Sequence, residues 1–402
     1  MATAKSRIDQ AQARITVALV GGGSGGHITP LLAVAEELKK QQPNSRLVYI
    51  GQTGDKLLDV PGQHNMIAVS YQIRAGKFRR YHGEGLKQLL DIKTLAKNFR
   101  DFFYFLTGIV QAYKLLSKLK PDVVFIKGGF VGVPVGLAAA VKHIPYVTHD
   151  SDAVPGLANR LIAKWAAAHA VAMPKSIYNY PADKTFTVGV PINALFKPVS
   201  DEQKAAYKKQ IGLRQKQQVI FVSGGGNGAK RLNEAVVQSV VPLLKSQPDL
   251  FIIHATGRDL EDESKRQYVD QLGEQGINQV LIKGFFVGDL YKYSGAADVV
   301  VTRAGATSVA EFAAQQKCCI IVPNPQLTGG HQIKNANYLA EQKAAIVLDD
   351  AVVIETPQVL TGQLQELLDN SATRQKLATN LAKFAQPRAA KELAQLLLET
   401  VA

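Results

Sequence analysis

Along nearly the whole chain, short β-branched runs alternate with stretches whose apolar positions recur every three or four residues. The runs are Ile15–Val20, Leu47–Ile50, Val123–Ile126, Tyr146–Thr148, Val219–Val222, Phe251–His254, Val280–Ile282, Val299–Thr302 and Cys319–Val322. Pro30 to Gln41, with Leu31, Leu32, Val34, Ala35 and Leu38, reads as a helix between the first two runs. Strands alternating with helices predict an α/β protein with parallel sheets. The pattern pauses at Gly189, Val190 and Pro191 and then restarts. Two Rossmann-like halves are therefore expected, with a cleft between them: 1–190, then 191–375, then a helical tail over 376–402 that packs back on the first half. Pro387 must break or kink that tail.

The bulk properties narrow the class. The 402 residues suit about two to three domains, and 46% hydrophobic content is ample for their cores. Val131–Val141 is the longest nearly uncharged apolar stretch, and Gly132, Pro134 and Gly136 interrupt it. A spanning helix needs about 20 apolar residues, so none is expected. The polar start and the short run after it do not make a signal-peptide core, so the protein is expected to stay in the cytoplasm. Two adjacent cysteines, Cys318 and Cys319, offer neither a disulfide framework nor a metal-ligand spacing. A net charge of +14 calls for an anionic partner: nucleic acid, an anionic membrane leaflet or a phosphorylated substrate. Zinc-finger spacings, aromatic RNA-binding signatures and basic zipper heptads are absent from the sequence, so no nucleic acid is expected.

Three turns carry candidate chemistry. Gly21, Gly22, Gly23, Ser24, Gly25, Gly26 and His27 follow the first run and lead into the first helix. Glycines admit close approach of main-chain N–H groups to an anion, and a helix start adds partial positive charge. The same glycines match a dinucleotide-binding fingerprint, but the second run ends in Gly51, Gln52, Thr53 rather than in the acidic residue a ribose needs. Gly224, Gly225, Gly226, Asn227, Gly228 and Ala229 form the equivalent turn of the second half and lack the Gly-Lys-Ser/Thr ending of a nucleotide hydrolase. The third turn, Arg303 to Glu311, has two readings. Ser308 and Glu311 have capping-box spacing. Alternatively, unpaired N–H groups of the new helix hold a diphosphate while Glu311 accepts from a ribose diol.

Taken together, these segments resemble the MurG family, two-domain inverting glycosyltransferases of the GT-B fold. Gly22–His27 is similar to the family's G-G-T-G-G-H. Gly128, Gly129 and Phe130 resemble its G-G-Y, and His149 to Arg160 its H-E-Q-N-A-x-x-G-x-x-N-R. Gly224–Ala229 is similar to G-G-S-Q-G-A, Arg303–Glu311 to R-S-G-A-x-T-x-x-E, and Gln332 with Asn335 and Ala336 to Q-x-x-N-A. The resemblance implies UDP-N-acetylglucosamine as donor, bound mainly by the second half, and a lipid-linked pyrophosphate acceptor met by the first. The reaction would move N-acetylglucosamine onto an N-acetylmuramoyl-peptide lipid in peptidoglycan synthesis, without a cofactor. Carried over by position, Ser24, Gly25, Gly26 and Asp152 approach the sugar and acceptor. Gly226, with Asn227 beside it, and Phe286 approach the uridine, and Ala306, Thr307, Ser308, Val309, Ala310 and Glu311 hold diphosphate and ribose. Gln332 takes the sugar hydroxyls. The chain departs from the family pattern at Asp152, where Asn is usual, at Gly226 in place of Ser, and at Asn193, a substrate-side position in place of Arg.

Transfer needs a general base and stabilisation of the departing diphosphate. His27 is the first base candidate, with an ordinary pKa of about 6.5, and His149 and Asp152 compete with it. Arg74, Lys77, Arg79 and Arg80 surround Phe78 and Tyr81, and Phe99 to Leu106 is rich in aromatics. That composition suits peripheral contact with an anionic membrane on its cytoplasmic side, or else a buried helix face beside solvated arginines. Three other functions stay open: a related transferase with another lipid or glycoside acceptor, a UDP-sugar epimerase, and a sugar-nucleotide sensor.

Overall fold

The computed structural model describes residues 15–23, 25–55, 57, 59–62, 64–76, 92–327 and 330–401. Among them the chain forms two compact units, one running through Asn193 and taking in Arg388 onward, the other Ala194–Pro387.

The first unit is built on β1 (Thr16–Val20), β2 (Arg46–Gln52), β3 (Val69–Ile73), β4 (Val123–Ile126), β5 (Tyr146–Asp150), β6 (Ala168–Val171) and β7 (Thr185–Thr187). They pair in the order β3-β2-β1-β4-β5-β6-β7, and all pairings are parallel. Its main helices are α1 (Gly25–Gln41), α2 (Ile92–Leu119), α3 (Gly132–Val141) and α4 (Leu157–Ile162). The central strands β1, β2 and β4 carry unbroken apolar stretches because both faces are covered. Val17, Leu19, Leu31, Val34 and Leu38 pack on one face, and Ala18, Val20, Leu116, Ile126 and Val135 on the other.

The second unit contains β8 (Gln218–Ser223), β9 (Leu250–Ala255), β10 (Val280–Lys283), β11 (Val299–Thr302), β12 (Cys319–Ile321) and β13 (Ile346–Val347). The order is β10-β9-β8-β11-β12-β13, again wholly parallel. Around it lie α5 (Asp201–Gln210), α6 (Lys230–Ser246), α7 (Glu261–Gly276), α8 (Leu290–Ala296), α9 (Ala306–Ala314), α10 (His331–Glu341), α11 (Asp350–Glu355), α12 (Gln358–Asp369) and α13 (Ser371–Ala382). The last helix, α14 (Ala389–Val401), belongs to the first unit, where Leu393, Ala394 and Leu397 are buried beside Leu31, Val34 and Leu38.

Two local details depart from the sequence reading. Helix α1 starts at Gly25, not Pro30, and the proline lies inside it. Proline has no N–H for the Gly26 carbonyl one turn back, yet the helix persists, with the Thr29 hydroxyl donating to the Gly25 carbonyl at 3.0 Å. Strands β3, β6, β7 and β13 give no apolar run in the sequence. β3 is half-buried, β6 is only Ala-His-Ala-Val, and β7 and β13 are edge strands of three and two residues.

Candidate functional site

In parallel open sheets, the loops at the carboxyl ends of the strands are where ligands are met. In the first unit three such loops converge, following β1, β4 and β5. The turn after β1 is shaped by Gly22 and Gly23 (φ 82°), and the Gly23 N–H donates to the Asp55 carboxylate at 2.6 Å. His27 lies in the first turn of α1, and its Nδ1 is 2.9 Å from the Gly22 carbonyl oxygen. A carbonyl only accepts, so Nδ1 carries the proton and Nε2 the lone pair. Burial, together with the Lys127 charge, lowers the imidazole pKa to about 4, against the weaker opposing pull of the Gly22 bond, Asp152 and Asp55. Gly128 and Gly129, after β4, close against this ring: a methyl on the first would lie 3.6 Å from Nε2 and on the second 3.5 Å from Nδ1. Both have positive φ, 120° and 81°.

The loop after β5 is held from within. The Asp150 carboxylate accepts from the Gly156 N–H at 2.8 Å, Asn159 Nδ2 at 3.0 Å and the Tyr180 hydroxyl at 2.9 Å. Asn159 also donates to the His149 carbonyl, and the Tyr178 hydroxyl to that of Asp152. These bonds leave Asp152 half-buried at the loop's open side. His149 is placed differently. It is fully buried, with Nε2 donating to the Gly189 carbonyl at 2.8 Å, and burial first, then Lys127, pushes its pKa well down. It ties the loop to the segment that leads out of the first unit. Asn193 is at the end of that segment and donates to the Glu36 carboxylate of α1 at 3.1 Å. Ser24 lies outside the described residues, as do Lys77, Phe78, Arg79, Arg80 and Tyr81, whereas Gly25 and Gly26 begin α1.

In the second unit the turns after β8 and β9 interlock through glycine. A methyl on Gly228 would come 2.0 Å from the Thr256 carbonyl oxygen, and one on Gly257 would lie 2.5 Å from the Gly228 Cα. Both have positive φ, 73° and 95°. Asn233 of α6 donates to that Thr256 carbonyl and meets His254 Nε2 at 3.2 Å, anchoring the turn. Gly226 is half-buried and Asn227 exposed at the tip.

The capping-box reading of Ser308 and Glu311 is not what forms. Helix α9 starts at Ala306, its N-cap is Gly305, and no side chain caps it. Glycine has no side chain to offer, and Ser308 is already the third residue of the helix. The N–H groups of Ala306, Thr307 and Ser308 therefore head a helix start without side-chain acceptors. Val309 and Ala310 are half-buried in the same turn, and Glu311 follows, only 6% exposed. Burial raises its carboxyl to about 8, and among the described residues no side chain or main-chain group bonds to it. Arg303 sets the approach to this helix: its Nη1 donates to the Val322 carbonyl at 3.0 Å and to Asp350 at 2.5 Å. From α10, Asn335 donates to the Ala304 carbonyl at 3.2 Å, and the Gln332 Oε1 accepts from the Asn324 N–H at 2.9 Å. Phe286 is buried against Phe221 and Tyr293 with Lys283 over its ring, so its side chain is core and only its main chain is available to a base.

Sequence reasoning missed Lys127, Asp55 and Asp150. Lys127 directly precedes Gly128 in the sequence, and that adjacency was its only signal. Among the described residues, no cluster of three or more His, Cys, Asp or Glu is placed to hold a metal ion, and no helix is long and apolar enough to cross a membrane.

Comparison with known proteins fits this picture. Residues 17–171 match the glycosyltransferase family 28 N-terminal domain, and residues 219–393 match the glycosyltransferase family 28 C-terminal domain. The chain is 30% identical over 95% of its length to the UDP-N-acetylglucosamine--N-acetylmuramyl-(pentapeptide) pyrophosphoryl-undecaprenol N-acetylglucosamine transferase of Limosilactobacillus reuteri, covering 97% of that protein. It is 31% identical to the protein of the same description from Desulfitobacterium hafniense, over 96% of this chain and 99% of the other. Among solved structures, Acinetobacter baumannii MurG superposes with a TM-score of 0.65 at 25% identity, covering 96% of this chain and 100% of that one. A UDP-GlcNAc 2-epimerase from Neisseria meningitidis reaches the same TM-score at 15% identity, over 96% of this chain and 100% of the other, a likeness of fold alone.

Proposed function

Because the chain belongs to glycosyltransferase family 28, we propose that it transfers N-acetylglucosamine from UDP-N-acetylglucosamine to the lipid-linked N-acetylmuramyl-peptide acceptor named for its relatives. The observation that carries the reading is the pairing of an uncapped α9 start with the buried Glu311 carboxyl one turn on. The N–H donors of Ala306, Thr307 and Ser308 take the diphosphate charge that grows as the glycosidic bond breaks. Glu311 accepts from the ribose diol, whose hydroxyls replace the solvent it has lost. Main-chain groups at Gly226, Asn227 and Phe286 border the base, and Gln332 lies beside the sugar.

In the first unit, His27 is the general base. Its Nδ1–H is engaged by Gly22, so Nε2 takes the proton of the attacking acceptor hydroxyl while a bond forms to the anomeric carbon and the UDP oxygen leaves with its electron pair. The low imidazole pKa keeps Nε2 unprotonated at neutral pH. Asp152 orients the acceptor or the imidazolium that forms. Main-chain N–H groups of Gly25 and Gly26 head α1, where an acceptor phosphate is stabilised.

The acceptor is a lipid, and α2 bears the surface for reaching it. Phe99, Phe103, Leu106 and Val110 are four, three and four residues apart, hence on one helix face, and all are exposed: Phe99 by 69% and Phe103 by 51%. Arg74 and Arg100 lie over the Tyr104 ring and Lys142 over that of Tyr113, which sets cations beside the apolar stripe. An apolar stripe bordered by cations suits the interface of an anionic leaflet. The buried-face alternative for this segment does not fit these exposures.

The deciding experiment is UDP release from UDP-N-acetylglucosamine with and without a muramyl-peptide pyrophosphoryl-lipid acceptor. Release that depends strictly on the acceptor, with a product of the summed mass, supports the reading. Binding of UDP with no release on addition of acceptor would sink it.

A further inference from the structure

Lys127 stands one residue beyond the end of β4, its main-chain N–H donating to the Val20 carbonyl at 2.9 Å. β4 lies between β1 and β5, so Lys127 is flanked by the loop that leads to His27 on one side and the loop that carries Asp152 on the other. Its side chain is only 4% exposed, and among the described residues Nζ has no hydrogen-bond or ion-pair partner. The two residues after it, Gly128 and Gly129, are the ones that close on the His27 ring. A lysine is rarely buried without a partner, because the ammonium loses its hydration and gains nothing direct in return. Its neighbours in β4 are apolar, and a methionine has a similar length without the charge.

We infer that Lys127 is a positioning residue for the transfer, its buried ammonium holding the His27 imidazole proton-free while anionic substrate groups occupy the site. The inference rests on His27 being the base. The charged groups that act on His27 are Asp55 from the loop after β2, Asp152 from the loop after β5, and Lys127 from the end of β4. The two carboxylates favour imidazolium, and Lys127 opposes them. An acceptor phosphate at the start of α1 adds negative charge of the same sign as the carboxylates. Burial is the larger cause of the low His27 pKa, and a fixed cation close by adds to it and offsets the pull of the bound anion. Burial lowers the Lys127 pKa, and Asp152 and then Asp150 oppose that shift.

The test uses the full chain labelled with nitrogen-15 at histidine, the His27 resonances being assigned by their loss in His27→Gln. The His27 midpoint is titrated with and without UDP, in Lys127→Met and in Lys127→Arg, which keeps the charge. The expected result is a His27 midpoint raised by about one pH unit in Lys127→Met. Lys127→Arg stays near the parent, and the acidic limb of the transfer rate moves with the midpoint. The His169 resonance, from β6 of the first unit, is the control for an intact fold, and Lys127→Gln replaces Lys127→Met if the latter does not fold. A His27 midpoint indifferent to the loss of the charge overturns the inference and leaves His27 as base. A midpoint that moves while the acidic limb stays put instead removes His27 as base, and the role given to Lys127 with it.

Discussion

The His27 Nδ1 lies 2.9 Å from the carbonyl oxygen of Gly22, a contact that fixes the tautomer of the ring. Loss of the base in His27→Gln should lower kcat about 10² to 10⁴-fold with little change in the KM for UDP-sugar. In the parent, the neutral form is the active one and its pKa is lowered to about 4, so kcat/KM should hold level as pH falls through 6.5. A stopped assay over pH 5 to 8 checks this, and an acidic limb centred near 6.5 would contradict it. His149→Gln should instead lower the melting temperature, because its ring bonds the Gly189 carbonyl from a buried position.

Glu311 makes opposite demands on binding and on stability. Its carboxyl is raised from 4.5 to about 8, so the folded chain keeps a proton that the unfolded chain releases between those values. Stability from this group is therefore present below about 4.5 and is lost as pH rises toward 8. Glu311→Gln should melt at a higher temperature than the parent at pH 8, with the difference closing toward pH 4.5, as calorimetric scans would show. The same variant should bind UDP about tenfold more weakly, because an amide offers the ribose diol one acceptor oxygen where the carboxyl offers two.

Gly228 and Gly225 separate close approach from backbone strain. Both have positive φ, 73° and 88°, but a methyl at Gly228 would meet the Thr256 carbonyl oxygen at 2.0 Å, while one at Gly225 meets nothing within 4 Å. Gly225→Ala should cost about 1 kcal/mol and Gly228→Ala about 3 kcal/mol or more, read from urea midpoints. Equal costs would mean that the interlocked turns relax freely.

Replacing Phe99, Phe103 and Leu106 together by Ser should abolish sedimentation with anionic vesicles at low salt, since burying each such side chain contributes about 1.5 to 3 kcal/mol. All three are exposed, so the fold and UDP binding should be unaffected. Undiminished vesicle binding by the triple variant would take the membrane role away from α2.

Much of this arrangement could be read from the chain alone, for physical reasons. Central strands such as Val123–Ile126 and Val299–Thr302 are apolar on both faces, so they stand out as runs. Glycine turns are legible because their geometry admits few other residues. Edge strands such as Thr185–Thr187 owe their pairing to neighbours and carry little pattern of their own. Ser308 and Glu311 have the spacing of a capping box, but the start of α9 is set by Gly305, and local spacing does not reveal where a helix begins. Lys127, Asp55 and Asp150 act across strands, and an electrostatic influence of residues 55, 127 and 152 on residue 27 has no local signature.

Helix α14 has a consequence for how the chain is made. Leu393, Ala394 and Leu397 complete a core whose other members begin at Val17, so the first unit contains both the earliest and the latest of the core residues. A ribosome adding about 5 to 20 residues per second needs tens of seconds for a chain of 402 residues. Until then the cluster of Leu31, Val34 and Leu38 with the sheet lacks the members that α14 adds. The half of the protein synthesised first is thus the half finished last, and it is the one a nascent-chain chaperone would have most reason to hold.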